Sequence, residues 1–251
     1  MDTAKATALY ARANAGFDQG VDNARRLLAR AADAHPDAIV QASSLGAEDQ
    51  VVTDLIARDR LPVAIATLDT GKLHGETLAL IESVHERYGL FVERYRPVHE
   101  AVIAFVGRHG DDAMRKSVEL RKACCVLRKV DPLGRMLTGR TAWITGLRRE
   151  QSSDRAAVEF EAIDEHGRRK ISPLADWSWG DVWHYLRVHE VPYNKLHDLF
   201  FPSIGCAPCT RAVAVGEDFR SGRWWWEDEA AKECGLHVAA AAARPLQPVA
   251  P

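Results

Sequence analysis

Residues 38–49 read AIVQASSLGAED, and this stretch decides the fold expected for the chain. Residues 38–42 are a short apolar run that predicts a buried strand, 43–49 form a polar turn, and helical spacing resumes over 48–58. Such a strand–turn–helix is suited to holding an anion, because amides at a helix N-terminus point at the ligand and the helix dipole favours negative charge. No Gly-Lys-Ser/Thr follows, which excludes a Walker A loop. An ordinary strand-to-helix turn explains the stretch alone at least as well.

Strand-like and helix-like segments alternate outward from this stretch. Helical spacing is found over 22–34 and 77–88, and strand-like runs over 61–68, 91–95 and 142–145. This alternation predicts an α/β fold, a doubly wound and mainly parallel sheet with helices on both faces. Ser178 and Asp181 match a capping box and predict a helix through about Val188. Trp179, Trp183 and Trp224 to Trp226 are interpreted as packing residues rather than base-stacking ones.

Length, composition and charge limit the classes of protein to which this chain can belong. The 251 residues are 47% hydrophobic and 27% charged with a formal net charge of -2, which indicates an ordinary globular protein and neither a nucleic-acid nor a membrane surface. The first residues lack an apolar segment and no run approaches the ~18 apolar residues of a spanning helix, so we expect a cytoplasmic protein. We predict one domain over 1–238 and a flexible Ala/Pro-rich tail over 239–251.

The five cysteines divide into an adjacent pair, a C-x-x-C pair and a single residue. The two pairs are Cys124-Cys125 and Cys206/Cys209. Four thiolates can hold zinc or an iron–sulfur cluster, and zinc usually takes two C-x₂₋₄-C knuckles rather than adjacent cysteines. Two buried core cysteines and a separate redox dithiol are the alternative.

The fifth cysteine lies in the stretch 233–237, which reads ECGLH. Cys234 beside a glycine, with His237 three residues on, is a candidate nucleophile because a thiolate is reactive and nearby cations lower its pKa. A free surface cysteine is the simpler alternative for this stretch alone. Basic side chains near the motifs match phosphate and sulfate oxygens; they are Lys129, Arg148, Arg149, Arg155, Arg220 and Arg223.

A second loop and an arginine-rich loop complete the pattern. Residues 68–71 read LDTG at the end of a predicted strand, and 143–152 read WITGLRREQS. Together with SSLGAED and ECGLH, these motifs closely resemble the adenylyl-sulfate and phosphoadenylyl-sulfate reductase family of sulfate assimilation, over roughly 38–237. The resemblance implies the adenine nucleotide alpha-hydrolase-like (PP-loop) fold, with a C-terminal helical or loop segment carrying the catalytic cysteine. Retention of all four paired cysteines favours the branch that reduces adenylyl sulfate.

The resemblance also implies residue roles, a cofactor and partners. Cys234 would be the nucleophile that forms an S-sulfocysteine, and Cys124, Cys125, Cys206 and Cys209 would hold a [4Fe–4S] cluster. Thioredoxin, or a glutaredoxin-like protein, would be the separate reductant that releases sulfite, with AMP as the other product; a homo-oligomer is left open. The implied substrate-binding residues are Ser43, Ser44, Gly46, Glu48, Asp49, Leu68, Lys129, Gly146, Arg148, Arg149, Arg220, Arg223 and His237.

Three other functions match parts of the pattern. A phosphoadenylyl-sulfate reductase, or an enzyme of dual specificity, is the nearest. An ATP-consuming ligase or sulfurtransferase on the same core would carry Ser-Gly-Gly-x-Asp-Ser, which residues 43–49 do not match. An iron–sulfur or redox-sensing protein that binds a nucleotide would leave 233–237 unexplained.

Overall fold

The computed structural model describes residues 5–214 and 216–227. Its sheet has six strands in the order β3-β2-β1-β4-β6-β5. The strands are β1 (Ile39–Ser43), β2 (Ala64–Leu68), β3 (Val92–Tyr95), β4 (Ala142–Ile144), β5 (Glu161–Ile163) and β6 (Arg169–Ile171). Neighbours pair in parallel, except that β5 runs antiparallel to β6.

Helices surround this sheet. They are α1 (Ala6–Tyr10), α2 (Phe17–Ala34), α3 (Ala47–Arg58), α4 (Gly75–Tyr88), α5 (His99–His109), α6 (Val118–Cys125), α7 (Asp131–Met136) and α8 (Trp179–Val188). A π-helical turn, Val126–Val130, joins α6 to α7. Short 3₁₀ turns lie at Ala113–Arg115, Arg149–Gln151, Ser153–Arg155, Lys195–Leu199 and Ala207–Cys209. Within the described ranges, no helix is both long and apolar enough to cross a bilayer.

Side chains of successive strand residues pack on opposite faces of the sheet. Ile39 and Ile144 belong to a core cluster with residues of α2, α3 and α8, whereas Val40 and Trp143 pack with Met136 of α7. This two-sided burial explains why β1 reads as a continuous apolar run rather than an alternating one. The doubly wound fold is therefore confirmed.

The order of the strands places a switch point between β1 and β4. The chain passes from β1 to β2 and β3 on one side, and then returns to place β4 on the other side of β1. Ligands of open parallel sheets bind in the crevice outside the carboxyl ends of the strands at such a point. The loop after β1 and the loop after β4 meet there.

Most predicted elements are confirmed within a few residues at their ends. The first long helix begins at Phe17 rather than at residue 22, and Ser178 caps α8 by accepting a hydrogen bond from the Asp181 amide. The β5–β6 hairpin and α5 were not predicted. The hairpin strands have three residues each, of which only Ile171 is buried, and this is too short for a periodic pattern; α5 carries the continuous apolar run 101–106, which marks no single helical face, and has no buried residue. The single domain over 1–238 stays a prediction, and the tail 239–251 lies outside the described residues.

Candidate active site

A cavity of about 210 Å³ opens at the carboxyl ends of β1, β2 and β4. Loops that are far apart in sequence meet around it, including the loop after β1, the LDTG loop, the π-helical turn and the 216–227 segment. Most of the predicted substrate-binding residues line this cavity. They are Ser43, Ser44, Gly46, Glu48, Asp49, Leu68, Lys129, Gly146, Arg220 and Arg223.

Asp49 joins the loop after β1 to the loop after β4. Its carboxylate accepts hydrogen bonds from the Ser44 amide and hydroxyl, each at 2.6 Å, and from the Gly146 amide at 3.0 Å. Burial raises the pKa of Asp49 to about 6, although the hydrogen bonds from Ser44 and Gly146 oppose that rise. These hydrogen bonds form the Asp49 clasp, which joins the two loops at the start of α3, where Gly46 offers no side-chain cap to the first amides. Those amides point to the place of an anionic ligand.

Gly146 must be a glycine for this clasp to close. A Cβ atom there would lie 2.6 Å from Asp49 Oδ1 and 2.9 Å from Glu48 Cβ. Both distances are shorter than a van der Waals contact. The close approach explains the glycine at the end of the ITG stretch, where the sequence alone showed only a loop.

Arg148 is engaged inside the protein and does not line the cavity. Its guanidinium pairs with Glu48 at 2.9 Å and Glu150 at 2.9 Å, and donates to the Trp177 carbonyl at 3.1 Å. Burial raises the pKa of Glu48, but the Arg148 charge and hydrogen bonds from Gln151 and Arg148 outweigh it, so this pKa lies below its usual value. Glu48 is therefore an anion whose charge is neutralised within the protein.

Arg149 is also turned away from the cavity. It donates to the Val158 carbonyl at 2.7 Å and pairs with Asp176. Direct contact of Arg148 and Arg149 with substrate was predicted, and this geometry gives it no support, because both guanidinium groups hold the loop together. Arg155 and Gln151 of the same loop do line the cavity. The abundance of arginine in the loop could not show which of them face the ligand.

The opposite wall of the cavity is cationic. Lys129 comes from the π-helical turn, and Arg220 and Arg223 from the 216–227 segment. The Arg223 guanidinium lies 3.4 Å from the Ile204 carbonyl and 4.7 Å from the centre of the Trp224 ring. Gly205 makes room for it, because a Cβ atom there would lie 2.4 Å from Arg223 Nη2.

The two cysteine pairs converge directly behind this wall. Cys124, Cys125, Cys206 and Cys209 are all buried in one cluster with Met114 and Trp224. Cys206 also lines the large cavity, and its Sγ lies 3.2 Å from the Thr70 hydroxyl of the LDTG loop. The site of the four thiols and the cavity therefore share a wall.

The four thiols fit an iron–sulfur group. Burial raises the pKa of Cys209 to about 12, so without a metal this thiol keeps its proton. Four cationic side chains surround the thiols, as charge compensation for bound thiolates requires; they are Lys72, Arg121, Arg128 and Lys129. In the described part of the chain, no three or more His, Cys, Asp or Glu side chains are gathered around one ion position. A [4Fe–4S] cluster takes one thiolate on each iron, and the two buried cysteine pairs supply that donor set.

The tryptophans near this wall pack as expected. Trp224 is buried beside Arg121, whose Cζ lies 4.5 Å from the ring centre, and Trp225 and Trp226 contact Arg115.

Cys234 and His237 lie outside the described residues. The nucleophile and the histidine contact to substrate therefore stay predictions.

Comparison with known proteins finds the same reductase family by a family model and by individual relatives. A family model described as a phosphoadenosine phosphosulfate reductase domain matches residues 38–212. An adenosine 5′-phosphosulfate reductase of Allochromatium vinosum is 56% identical over 202 residues, which cover 80% of this chain and 79% of the relative. A protein of the same name from Burkholderia cepacia is 50% identical over 239 residues, which cover 95% of this chain and 94% of the relative.

Solved structures share the fold. A phosphoadenylyl-sulfate reductase from Candida auris, in a phosphate complex, aligns with a TM-score of 0.63 at 26% identity, over 78% of this chain and 97% of that one. An FMN adenylyltransferase from Candida glabrata aligns with a TM-score of 0.53 at 15% identity, over 80% of this chain and 68% of that one. The second likeness concerns the fold alone.

Proposed function

The chain belongs to the phosphoadenosine phosphosulfate reductase family, and we propose that it reduces adenylyl sulfate to sulfite and AMP in sulfate assimilation. One observation carries the proposal: the cavity at the switch point shares Cys206 with a cluster of four buried cysteines. The relatives named adenosine 5′-phosphosulfate reductase, at 50% and 56% identity, support adenylyl sulfate as the substrate.

The first chemical step is a displacement at sulfur. The Cys234 thiolate attacks the sulfate sulfur of adenylyl sulfate, an S–S bond forms, and the bond from sulfur to the bridging phosphate oxygen breaks. AMP leaves with that bond's electron pair, and an S-sulfocysteine remains on Cys234. No external electron is added in this step; the two electrons that take the sulfur to sulfite come from the dithiol in the second step.

The second step needs an external dithiol such as that of thioredoxin. One thiolate of the reductant attacks Cys234 Sγ, and sulfite leaves with the electron pair of the S–S bond. The second thiol of the reductant then releases Cys234 as a thiolate and closes the reductant's own disulfide. The dithiol is oxidised by two electrons, and these are the electrons gained by sulfur.

Charge is the main obstacle to the first step, because an anionic thiolate must approach an anionic phosphosulfate. Lys129, Arg220 and Arg223 line the cavity and are in place before the ligand arrives. Preplaced cations stabilise the charge that builds up on the sulfate and phosphate oxygens without reorganising during the reaction. The α3 N-terminus assists from the opposite side.

The paired cysteines would hold a [4Fe–4S] cluster as their cofactor. When bound, the cluster would supply electrostatic and structural support to this wall rather than the two electrons of the reaction. Lys129 lines both the cavity and the thiol site, which supports a role in which its ammonium would interact with the substrate and with the cysteine ligands.

Sulfite release by anaerobically purified, iron-containing protein tests the proposal, with thioredoxin as reductant. We expect a strong preference for adenylyl sulfate over its 3′-phosphorylated form. Equal or reversed preference would retain the family and the nucleophile but assign the chain to the phosphoadenylyl-sulfate branch or to dual specificity.

The nucleophile has a separate test. Wild-type protein treated with adenylyl sulfate and no reductant should gain the mass of one sulfite group on Cys234. The Cys234→Ser variant should bind the nucleotide and gain no mass. A covalent adduct on that variant would overturn the assignment.

A further inference from the structure

His197 is a buried polar side chain of the cavity that the reaction described above does not use. It lies in the 3₁₀ turn Lys195–Leu199, is 3% exposed, and lines the cavity. Neither of its ring nitrogens has a hydrogen-bond partner of normal geometry in the described protein, although the Phe201 backbone lies near the ring. Buried polar groups are nearly always paired, so one without a protein partner calls for a ligand or a trapped water.

The ring is held in place by its neighbours. Its centroid lies 5.1 Å from that of Trp183 and 6.0 Å from that of Trp179, both in edge-on contact. The turn that carries it is anchored by Asn194, which accepts from the Leu196 amide and donates to Thr77 at 2.8 Å. A hydrogen-bond donor fixed in this way before the ligand binds loses little conformational freedom on binding.

The position of the ring points to the anionic end of the ligand. His197 is close enough to Glu48, in the first turn of α3, to respond to its charge. Trp179 links His197 to Phe219, since the Trp179 and Phe219 centroids lie 4.9 Å apart, and Phe219 precedes Arg220. His197 therefore lies between the amide end of α3 and the arginine segment.

The ring is uncharged at neutral pH. Burial lowers the pKa of His197 to about 4, against the opposing charges of Glu48 and Asp198 and the nearby Phe201 backbone. A neutral imidazole carries one donor and one acceptor nitrogen, and no hydrogen bond of normal geometry fixes which nitrogen bears the proton here. The tautomer that presents the N–H to the ligand is therefore readily adopted.

We propose that His197 is a further substrate-binding residue, which donates a hydrogen bond to an oxygen of the bound phosphosulfate. The inference rests on the proposed function for the identity of the anion. His197 would complement Lys129, Arg220 and Arg223, since it orients the phosphosulfate without adding charge to the wall. Loss of a hydrogen bond to a charged group should weaken binding by about tenfold or more.

The test compares His197→Phe with His197→Gln in the full-length, iron-containing chain. Phenylalanine keeps the aromatic edge contacts and removes the donor, whereas glutamine retains a donor. His189→Phe is the matched control, because His189 also packs against an aromatic ring, Tyr185 at 4.3 Å, and does not line the cavity. Dissociation constants for adenylyl sulfate, AMP and adenosine are measured in a Cys234→Ser background, so that the nucleotide is not consumed.

We expect His197→Phe to weaken adenylyl sulfate binding at least tenfold and to leave adenosine binding within twofold, with most of the loss recovered in His197→Gln and none seen in His189→Phe. An equal loss for adenosine, or no loss for adenylyl sulfate, would overturn the proposal and leave His197 a packing residue. Should His197→Phe fail to fold, ¹⁵N-histidine spectra of the Cys234→Ser chain give the answer: adenylyl sulfate must shift the His197 ring resonances, and adenosine must not.

Failure of the proposed function is a separate outcome. It would appear as absence of sulfite release by the unsubstituted protein. In that case the difference between adenylyl sulfate and adenosine binding in His197→Phe still decides whether this histidine contacts an anion.

Discussion

The two walls of the cavity are built in different ways. The nucleotide wall consists of residues 43–49 and Gly146, and it is held by hydrogen bonds from Ser44 and Gly146 to the single carboxylate of Asp49. The cysteine wall consists of Lys129, Cys206, Arg220 and Arg223 with the buried cysteines behind them. It depends on cations packed near thiols and around the Trp224 ring.

The two walls differ in whether the protein alone can stabilise them. The nucleotide wall stands directly on β1, α3 and β4, and the Asp49 carboxylate that joins its loops is hydrogen-bonded within the protein. The cysteine wall concentrates positive side chains, with Arg121 fully buried in a 2.8 Å pair with Glu227. Because four cationic side chains lie around the thiols, we expect this wall to need the proposed iron–sulfur group, whose thiolate ligands would compensate them, while the nucleotide wall should form without it.

Cys206→Ser should have the largest effect, and it should disrupt the cysteine wall. Loss of one ligand at the shared wall should remove the iron and its visible absorbance, and lower sulfite release by about a hundredfold or more, since iron–sulfur clusters are held by cysteine thiolates. Cys234→Ser is the matched control, which should lose activity and keep its iron. Iron content and turnover measured together check this, and full iron with full activity in Cys206→Ser would contradict the assigned ligands.

Gly205→Ala should disturb the cysteine wall alone. The added methyl group overlaps Arg223 Nη2 at 2.4 Å and must displace the guanidinium. Because Arg223 is proposed to contact the anion, adenylyl sulfate binding should weaken about tenfold, as for the loss of one charged hydrogen bond, while adenosine binding stays nearly constant. Gly134→Ala in α7 is the control, with no atom within 4 Å of its new methyl group. Unchanged adenylyl sulfate affinity in Gly205→Ala would show that Arg223 does not depend on this glycine.

Gly146→Ala should disturb the nucleotide wall. Its methyl group would overlap Asp49 Oδ1 and the backbone nitrogen of Asp49, at 2.6 and 3.0 Å. Overpacking of this kind costs roughly 1–3 kcal/mol in the free energy of unfolding. Adenosine and adenylyl sulfate affinities should fall together, in contrast to Gly205→Ala, and Gly107→Ala in the exposed helix α5 should leave both unchanged. Urea unfolding checks the loss of stability, and nucleotide titration checks the two affinities. A fall in adenylyl sulfate affinity alone would show that Gly146 belongs functionally to the other wall.

The smallest expected effect is the pH dependence of the Asp49 clasp. Because the pKa of Asp49 is raised from 3.8 to about 6, between these values the folded protein holds a proton that the unfolded chain has released. Stability contributed by this group therefore decreases as pH rises through that window and is level above it. The effect should amount to about 1–3 kcal/mol, because each tenfold difference in proton affinity between the folded and unfolded chains corresponds to about 1.4 kcal/mol.

Asp49→Asn isolates this group from the other titrating side chains. The free energy of unfolding is measured for both proteins between pH 4 and pH 7, and the difference between their curves should slope across the window. Parallel curves would show that the Asp49 carboxyl titrates near its ordinary value.

Much of the fold could be predicted because its central strands are buried on both faces. Buried parallel strands require continuous apolar runs, and those over β1, β2 and β4 are visible in the sequence. The β5–β6 hairpin escaped prediction because strands of three residues are too short to carry a periodic pattern. Helix α5 escaped because its apolar residues form one continuous run over 101–106 rather than a stripe at helical spacing, and none of its residues is buried.

The sequence brought forward side chains of specific chemistry, and the structure decided where they lie. The paired cysteines, singled out from their spacing, form one buried cluster, and Lys129, singled out as a basic residue near them and through the resemblance, lines the cavity. Arg148 carries the same guanidinium as Arg223, yet it is buried in ion pairs with Glu48 and Glu150, and no local pattern distinguishes the two. His197 belongs to no motif that the sequence analysis recognised, and only its burial without a hydrogen-bond partner of normal geometry identifies it as a candidate.

The sequence by itself determined the α/β class, the central strands and the identity of the groups able to bind anions or iron, because side-chain chemistry and apolar periodicity are local properties. Only the tertiary structure decided that the loop after β1, the cysteine pairs and the 216–227 segment share one cavity, and which arginines reach it. The physical reason is that packing between distant segments determines which polar groups pair within the protein and which are left for a ligand.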